Sequence, residues 1–198
     1  IFMKILTIVG ARPQFIKAAL LNNILNQDKA INHKLLNTGQ HYDFEMYKSI
    51  FKSLKMKKPD FNLNIKNSES FLSQCISKIE FHVFKKFKPN LIITYGDTQS
   101  TLLASILAKK NNCKLAHIES GLRSNNFNMP EEFNRFVADH LSDFLFVPNL
   151  NAKKQLQAEG IEKKIHVVGD VMYDIFCNSK ILFIKKENNF LKYLSLKK

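Results

Sequence analysis

Short apolar segments alternate with helical patterns along almost the whole chain, and this alternation limits its possible folds more than any other feature. Six segments are predicted as strands: Ile5 to Val9, Lys34 to Thr38, Leu91 to Tyr95, Leu115 to Ile118, Phe144 to Val147 and Ile165 to Val168. Helical periodicity fills most of the intervals, over Phe15 to Leu25, Phe44 to Ser53, Ser70 to Phe87, Thr98 to Lys110, Pro130 to Leu141 and Ala152 to Glu159. This alternation predicts a doubly wound α/β fold, with a mostly parallel sheet and helices on both faces.

Five of the predicted strands run directly into polar turns. These turns read GARPQFIK, GQHYD, GDTQS, ESGLRS and GDVMYD. In an open parallel sheet, ligands bind in the crevice at the carboxyl ends of the strands. The pattern therefore predicts a polar site at that end of the sheet, although turn chemistry alone accounts for the glycines and some of the aspartates.

The first turn, GARPQFIK, carries a single glycine. It matches neither the GxGxxG dinucleotide fingerprint nor the GxxxxGK[ST] phosphate loop, so NAD and P-loop chemistry lose their main support. Arg12 and Lys17 lie near a helix start, where free backbone N–H groups favour an anion. A phosphate-bearing ligand and a purely structural arginine both fit this turn.

The segment HIESGLRSNNFNMPEEFNR, residues 117–135, concentrates opposite charges. Carboxylates that crowd together raise one another's pKa and arginines lower it, which allows an acid and a base to lie side by side. Asp97, Glu119 and Glu131 are the candidates for proton transfer. Arg12 or Arg123 would hold a leaving group that is already anionic.

Each of these residues also has a structural explanation. Asp97 or Thr98 suits a helix N-cap, and Pro130 suits the first position of a helix. Glu131 and Arg135 fit a simple i,i+4 pair on a helix whose core face is predicted as Phe133, Phe136 and Val137. His117 and Glu119 form an H-x-E pattern, but the P-C-x-x-C of the zinc deaminases is missing, so no metal site is expected and His117 is predicted to be hydrogen-bonded near Glu119.

The formal net charge of +13 raises the question of an anionic partner. The excess of lysine and arginine is spread along the chain, and residues 101–150 are balanced at five basic to five acidic side chains. A lysine-rich solvated surface explains this better than nucleic-acid binding. Three cysteines without regular spacing and no apolar run of about 18 residues favour a cytoplasmic protein that does not enter a membrane.

Six segments together resemble the non-hydrolysing UDP-N-acetylglucosamine 2-epimerases. They are, in order, GARPQFIKAA, NTGQHYD, YGDTQSTLLA, HIESGLRS, MPEEFNR and VGDVMYD. The resemblance covers residues 3 to about 180, and it implies the Rossmann-like N-terminal half of a two-domain GT-B-like fold. The form GARPQFIK, rather than GTRPE, is similar to members that act on modified substrates such as diacetamido-uronic acid nucleotide sugars.

The resemblance implies inversion of C2 of the sugar in UDP-GlcNAc, which gives UDP-ManNAc. Loss of the C2 proton and of UDP gives a 2-acetamidoglucal intermediate, and UDP then returns while C2 is reprotonated from the opposite face. By motif, Asp97, Glu119 and Glu131 match the family's acid and base carboxylates, and Arg12 matches an arginine near the phosphates. The full set of substrate-binding candidates is Arg12, Lys17, Gln40, His41, Arg123, Asn134, Arg135 and Asp170. No cofactor is expected.

The expected organisation is a Rossmann-like domain over residues 1–175, followed by an interdomain helix and tail over 176–198. Members of this family are about twice this length, a size that calls for two domains. Their C-terminal domain supplies most uridine contacts and a histidine in an HRRE-like motif, which this chain lacks. We therefore expect the 198-residue chain alone to turn over little or no UDP-sugar. A homodimer is expected.

Three alternatives stay open at this point. A hydrolysing epimerase would release free ManNAc and UDP, although such enzymes carry a TRAD-like turn where this chain has ARPQ. A glycosyltransferase half would require an acceptor, which the motifs from Asp97 to Arg135 do not suggest. A non-catalytic association module would pair two chains through an apolar helix such as FLSQCISKIEFHVF, residues 71–84.

Overall fold

One parallel sheet organises the described part of the chain. The computed structural model describes residues 2–39, 56–65, 70–162 and 164–178. Within these ranges the strands are β1 (Met3–Val9), β2 (Ile31–Asn37), β3 (Phe61–Asn62), β4 (Leu91–Tyr95), β5 (Lys114–Ile118), β6 (Phe144–Val147) and β7 (Ile165–Val167). They lie in the order β3-β2-β1-β4-β5-β6-β7, and each neighbouring pair is parallel. The Rossmann-like α/β fold predicted from the alternation is confirmed.

Helices connect the strands as the periodicity predicts. They are α1 (Arg12–Gln27), α2 (Phe71–Ile79), α3 (Gln99–Lys110), α4 (Pro130–Leu141) and α5 (Leu150–Ala158). A π-helical turn at Glu80–Phe84 continues α2, and a further helix, α6, covers residues 171–178. The helix predicted at 44–53 lies outside the described residues. In the described ranges, every helix is too short or too polar for a membrane span.

The core has two large clusters, one on each face of the central strands, and a smaller third cluster between β6 and α5. Leu6 and Ile8 of β1 belong to the cluster that α2 and α3 cover, whereas Ile5 and Val9 belong to the cluster that α1 covers. Successive residues of a strand point to opposite faces, so a strand buried on both sides reads as a continuous apolar run. This explains why ILTIV and LIITY were recognisable as central strands.

The apolar face of α2 is part of this core. Phe71, Cys75, Ile79 and Val83 are all buried against the sheet and α3. These four side chains are therefore not available to pair two chains, whereas Phe81 of the same segment is 59% exposed.

The sheet order reverses between β1 and β4. From β1 the chain proceeds outward through β2 and β3, and it then returns to the other side of β1 to add β4, β5, β6 and β7. Such a switch point leaves a crevice at the carboxyl ends of the two central strands. The turns that follow β1 and β4, together with the turn after neighbouring β5, border this crevice.

Candidate active site

Gly96, in the turn after β4, lies at the centre of the site. Its φ is +62°, and a Cβ atom added there would lie 3.4 Å from Glu119 Oε2 and 3.6 Å from Lys17 Nζ. Lys17 comes from α1 and Glu119 follows β5. Side chains from two neighbouring connections therefore meet directly above the glycine, which leaves them room.

Two of the three predicted catalytic carboxylates form ion pairs here. Glu119 contacts Lys17 through Oε2 and Nζ, and Asp97 contacts the guanidinium of Arg135. Both pairs are partly exposed to solvent, so they border the crevice and are not locked inside the core. The structure thus brings these two carboxylates to adjacent turns, each beside a cation.

Arg135 does not make the i,i+4 side-chain pair that the sequence suggested. Its Nη2 reaches Asp97 in another connection, while its Nε donates to the backbone oxygen of Glu131 at 3.3 Å. A weaker contact joins Nε to Glu132 Oε2 at 3.6 Å. The arginine therefore joins the first turns of α4 to the β4–α3 turn.

Glu131 and Arg12 lie at helix starts that face outward. Glu131 is exposed in the first turn of α4, and Pro130 opens that helix as predicted. Arg12 is exposed at the first residue of α1. Arg135, one helical turn beyond Glu131, contacts Asp97, so the first turns of α4 lie next to the β4–α3 turn.

Glu119 has a strained backbone. Its φ is +69°, in the left-handed region that costs an ordinary residue about 1 kcal/mol. The amides of Glu119 and Ser120 both donate to the carbonyl of Phe146, at 3.0 and 3.1 Å, which holds the turn in this shape. Strain of this kind concentrates at functional sites, and here it fixes the direction of a candidate catalytic carboxylate.

His117 lies beneath the site, fully buried at the end of β5. Its Nε2 is 2.7 Å from the carbonyl of Gly96, and its Nδ1 is 2.7 Å from Asp139 Oδ1. The histidine is hydrogen-bonded at a strand end near Glu119, as predicted, through the carbonyl of Gly96 and through Asp139. A carbonyl oxygen only accepts, so Nε2 donates to Gly96 O.

Asp139 extends this buried network to Arg123. Its Oδ2 accepts from Gly121 N at 3.0 Å and from Arg123 Nη1 at 2.7 Å. Burial raises the pKa of Asp139, but the positive charges of His117 and Arg123 and their hydrogen bonds outweigh it, so the net pKa is lowered. The carboxylate is thus held between the His117 ring and the Arg123 guanidinium.

Arg123 is occupied by protein carboxylates. Besides Asp139, it donates from Nε and Nη2 to Glu159 at 2.8 and 2.7 Å, and its side chain is 4% exposed. Burial lowers the pKa of Arg123, but Glu159 and Asp139 raise it by more, so the net pKa is raised. The guanidinium therefore stays charged between these two carboxylates. This placement argues against the predicted contact between Arg123 and a substrate. Arg123 instead links the 121–123 turn to the end of α5.

The predicted core face of α4 was wrong. Phe133 is 50% exposed, and the buried residues of this helix are instead Glu132, Asn134, Ala138 and Asp139. Three of these four are polar, so the buried face of α4 is held by hydrogen bonds. An apolar periodicity cannot reveal such a face.

Glu132 is one of the residues that the sequence did not indicate as part of the site. Its carboxylate accepts from the amides of Ser124 and Asn125 at 2.9 Å and from Ser124 Oγ at 2.9 Å. Burial raises the pKa of Glu132, but these donors and Arg135 lower it overall. Glu132 therefore shapes the loop that connects the β5 turn to α4.

Gln14 is the second such residue. Its Oε1 accepts from Gly10 N at 2.8 Å and Ala11 N at 3.2 Å, as the N3 side chain of a capping box does. Its Nε2 donates to Tyr95 O at 2.7 Å and Thr101 Oγ1 at 3.1 Å. The sequence signal was a glutamine three residues after the N-cap of α1, although its long-range partners were not predictable.

The remaining predicted residues fall in different places. Asn134 donates to the backbone oxygen of Asp97 at 2.9 Å, so it contacts the site through the protein backbone. Asp170 is exposed and caps α6, where its Oδ1 accepts from Met172 N at 2.8 Å. Gln40 and His41 lie outside the described residues. The roles of these residues in binding a substrate remain predictions.

Within the described ranges, no group of three His, Cys, Asp or Glu side chains is placed to hold a metal ion. The arrangement offers carboxylates, each paired with a cation, at the mouth of the crevice. Carboxylates so placed can accept and return protons, and cations beside them favour an anionic group.

Known proteins share this chain's sequence and fold. The family model described as UDP-N-acetylglucosamine 2-epimerase matches residues 23–195. A UDP-N-acetylglucosamine 2-epimerase homolog from Methanococcus maripaludis is 45% identical, with 99% of this chain and 55% of the relative covered. A UDP-2,3-diacetamido-2,3-dideoxy-D-glucuronate 2-epimerase from Pseudomonas aeruginosa is 43% identical, covering 87% of this chain and 50% of the relative.

A solved structure is similar over the same part. The crystal structure of Methanocaldococcus jannaschii UDP-GlcNAc 2-epimerase in complex with UDP-GlcNAc and UDP has a TM-score of 0.90 at 37% identity. The similarity covers 98% of this chain and 54% of that one. The chain thus spans about half the length of the curated relatives and of the solved structure that it matches.

Proposed function

This chain belongs to the UDP-N-acetylglucosamine 2-epimerase family, and from that premise we propose that it supplies the carboxylate-bearing half of an enzyme that inverts C2 of a UDP-GlcNAc-type sugar. One observation carries the proposal. The Asp97–Arg135 and Glu119–Lys17 pairs assemble around Gly96 at the switch point of the sheet.

Epimerisation at C2 needs a base on one face of the sugar and an acid on the other. A carboxylate removes the C2 proton, the C–H electrons form the C1=C2 double bond, and the C1–O bond breaks as UDP departs. UDP then adds back to C1 while a second carboxyl group protonates C2 from the opposite face. Asp97, Glu119 and Glu131 come from three separate elements, a distribution that suits work on both faces of one ring.

The departing diphosphate must stay close enough to return. We assign Arg12 to this task because it is exposed at the start of α1, where the helix N-terminus favours anions. Lys17, further along α1, forms an ion pair with Glu119, which we place beside the sugar. Holding the reactants together converts the re-addition into an effectively unimolecular step.

Two relatives with similar sequence identity to this chain are named for different sugar substrates. The M. maripaludis relative is described as a UDP-N-acetylglucosamine 2-epimerase homolog, and the P. aeruginosa relative acts on a diacetamido-glucuronate. We propose a UDP-GlcNAc-type hexosamine as the substrate class, with UDP-ManNAc or its modified counterpart as product. Detection of free hexosamine instead of an epimeric UDP-sugar would assign the hydrolysing reaction.

The wider biological setting follows from the same proposal. Cys75, Cys113 and Cys177 are free thiols, which supports a reducing, cytoplasmic compartment. We also propose the domain limits of 1–175 and 176–198, a homodimer, and a place in polysaccharide biosynthesis. Light scattering of the purified chain measures its state of association directly.

The reaction is best tested in a chimera, because the chain spans about half of its relatives. Residues 2–178 replace the corresponding part of the M. jannaschii UDP-N-acetylglucosamine 2-epimerase, which is 38% identical. The chimera is incubated with UDP-GlcNAc in D₂O, and NMR follows exchange of the C2 hydrogen and formation of the C2 epimer. We expect both signals to appear together.

Single variants then test the carboxylates. Asp97→Asn, Glu119→Gln and Glu131→Gln are each expected to slow C2 exchange by at least about 100-fold. Glu162→Gln is the matched control, since it removes one exposed carboxylate elsewhere. Full activity in all three variants would refute the proposed roles. Robust epimerisation by the 198-residue chain alone would contradict the expectation that it turns over little or nothing.

A further inference from the structure

Three consecutive carbonyls in the turn after β4 are held by side chains from three different elements. Tyr95 O accepts from Gln14 of α1, Gly96 O from His117 of β5, and Asp97 O from Asn134 of α4. The three distances are 2.7, 2.7 and 2.9 Å. The three donor residues are 2%, 0% and 5% exposed, so these bonds do not compete with water.

Two of the donors are themselves anchored on their far side. Gln14 accepts from the amides of Gly10 and Ala11, which form the turn after β1. His117 is bonded through its other nitrogen to Asp139 in α4. Neither side chain can rotate away from the turn without breaking a second buried hydrogen bond, and each such loss leaves an unsatisfied polar group.

From within the connection, Thr101 Oγ1 also donates to Tyr95 O at 2.8 Å, which leaves the carbonyls of Gly96 and Asp97 to the outside donors. Gly96 is the pivot of the turn, at φ +62°, and glycine has the widest backbone freedom of any residue. The N-cap of α3 is Thr98, whose hydroxyl makes no capping bond and has no hydrogen-bond partner in the described structure. A helix start without its cap is looser by about 1 kcal/mol. The position of Asp97 therefore depends on groups outside the turn.

We infer that Gln14, His117 and Asn134 are positioning residues whose shared task is to hold the backbone of the β4–α3 turn, so that the Asp97 carboxylate stays at the mouth of the crevice. His117 is central, because it holds the carbonyl of the flexible glycine. The functional meaning of this inference rests on the proposed role of Asp97. The mechanical part, that the side chains immobilise the turn, does not.

Two substitutions of His117 separate its two contacts. The amide nitrogen of glutamine reaches approximately where Nε2 lies, so His117→Gln retains a donor to Gly96 O and gives up Asp139. Asparagine reaches only as far as Nδ1, so His117→Asn retains the contact with Asp139 and gives up Gly96 O. Both variants lose the imidazole ring, which makes each the control for the other.

The first readout is amide hydrogen exchange in the ligand-free 198-residue chain. The amides of Gly96, Thr101 and Leu102 are hydrogen-bonded to Ile118 O and Thr98 O around this turn. We expect them to exchange on the order of ten-fold faster in His117→Asn than in His117→Gln. Amides of β2 are expected to exchange equally in both variants. Equal exchange in the turn would overturn the inference. Should His117→Asn not fold, Asn134→Leu removes the donor to Asp97 O at similar size and gives the same reading against wild type.

The second readout is binding of UDP-GlcNAc, followed by NMR titration of the M. jannaschii chimera that carries each substitution. We expect His117→Gln to bind close to the affinity of the unsubstituted chimera and His117→Asn to bind on the order of ten-fold more weakly. Equal affinities despite a loosened turn would overturn the functional part of the inference. If the unsubstituted chimera does not bind UDP-GlcNAc, the proposed function of this chain fails, and the amide exchange comparison alone decides whether the turn is held as described.

Discussion

Replacing Gly121 by alanine tests how tightly the turn after β5 packs on α5. Gly121 has φ +78°, a conformation that costs alanine about 1 kcal/mol. Its added Cβ would also lie 2.5 Å from the carbonyl oxygen of Ala152, 3.0 Å from the carbonyl carbon and 3.1 Å from Leu156 Cγ. The two nearest atoms belong to a helix backbone, so the turn itself must move.

The expected loss of stability combines these two effects. Overpacking against a rigid neighbour costs about 1 to 3 kcal/mol, so Gly121→Ala is expected to lower the free energy of unfolding by about 2 to 4 kcal/mol. The displacement would also stretch the bond from Gly121 N to Asp139, which is 3.0 Å in the native turn. Through Asp139, the change reaches His117 beneath the site.

Gly160→Ala is the matched control. Gly160 has nearly the same backbone conformation, φ +82°, but no atom lies within 4 Å of its added Cβ. It therefore carries the conformational cost of about 1 kcal/mol without the clash. The difference between the two variants isolates the contribution of packing.

Urea unfolding of the 198-residue chain, followed by circular dichroism, measures both variants. We expect the midpoint of Gly121→Ala to fall well below that of Gly160→Ala at similar slopes. Equal midpoints would refute the reasoning, because they would mean that the 121–123 turn moves away from α5 at no cost.

Three further predictions concern residues around the site and in the core. Glu119→Gly should be about 1 kcal/mol more stable than Glu119→Ala, since only glycine is relaxed at φ +69°; equal urea midpoints would contradict the strain. Glu132→Gln should lower the free energy of unfolding by about 1 to 3 kcal/mol, because buried donors at Ser124 and Asn125 lose a charged acceptor; an unchanged midpoint would refute that role. Burial lowers the pKa of His33 to about 4, although Asp60 raises it, so the ring is neutral in the fold and takes up a proton on unfolding below about pH 6.5. The free energy of unfolding should therefore fall by on the order of 2 kcal/mol as pH drops from about 6.5 to 4. His33→Asn should flatten a plot of this free energy against pH over that range; an unchanged slope would contradict a neutral His33 in the fold.

The fold was predictable because its signals are local. Strands buried on both faces appear as apolar runs, and the Pro130-Glu131-Glu132 start of α4 marks the helix at its observed residue. The two-residue strand β3 was not predictable, because it exists only through pairing with β2. A segment that short carries no periodicity of its own.

The candidate site was predictable only in its ionic members. Asp97 and Glu119 follow strands that the pattern identifies, and the rule for parallel sheets places their turns together. The hydrogen-bond donors beneath them were not predictable, because Gln14 and Tyr95 are 81 residues apart and His117 and Asp139 are 22 apart. Hydrogen bonds between distant residues leave no periodic trace in a single sequence, and for the same reason the polar buried face of α4 was mistaken for an apolar one.

A crystal structure of this chain with UDP-GlcNAc bound would test the central claim most directly. The account predicts that the sugar ring lies above Gly96, with C2 within contact distance of the Asp97 or Glu119 carboxylate and the diphosphate toward the start of α1. A nucleotide sugar seated on another face of the sheet, with its C2 remote from all three carboxylates, would contradict it.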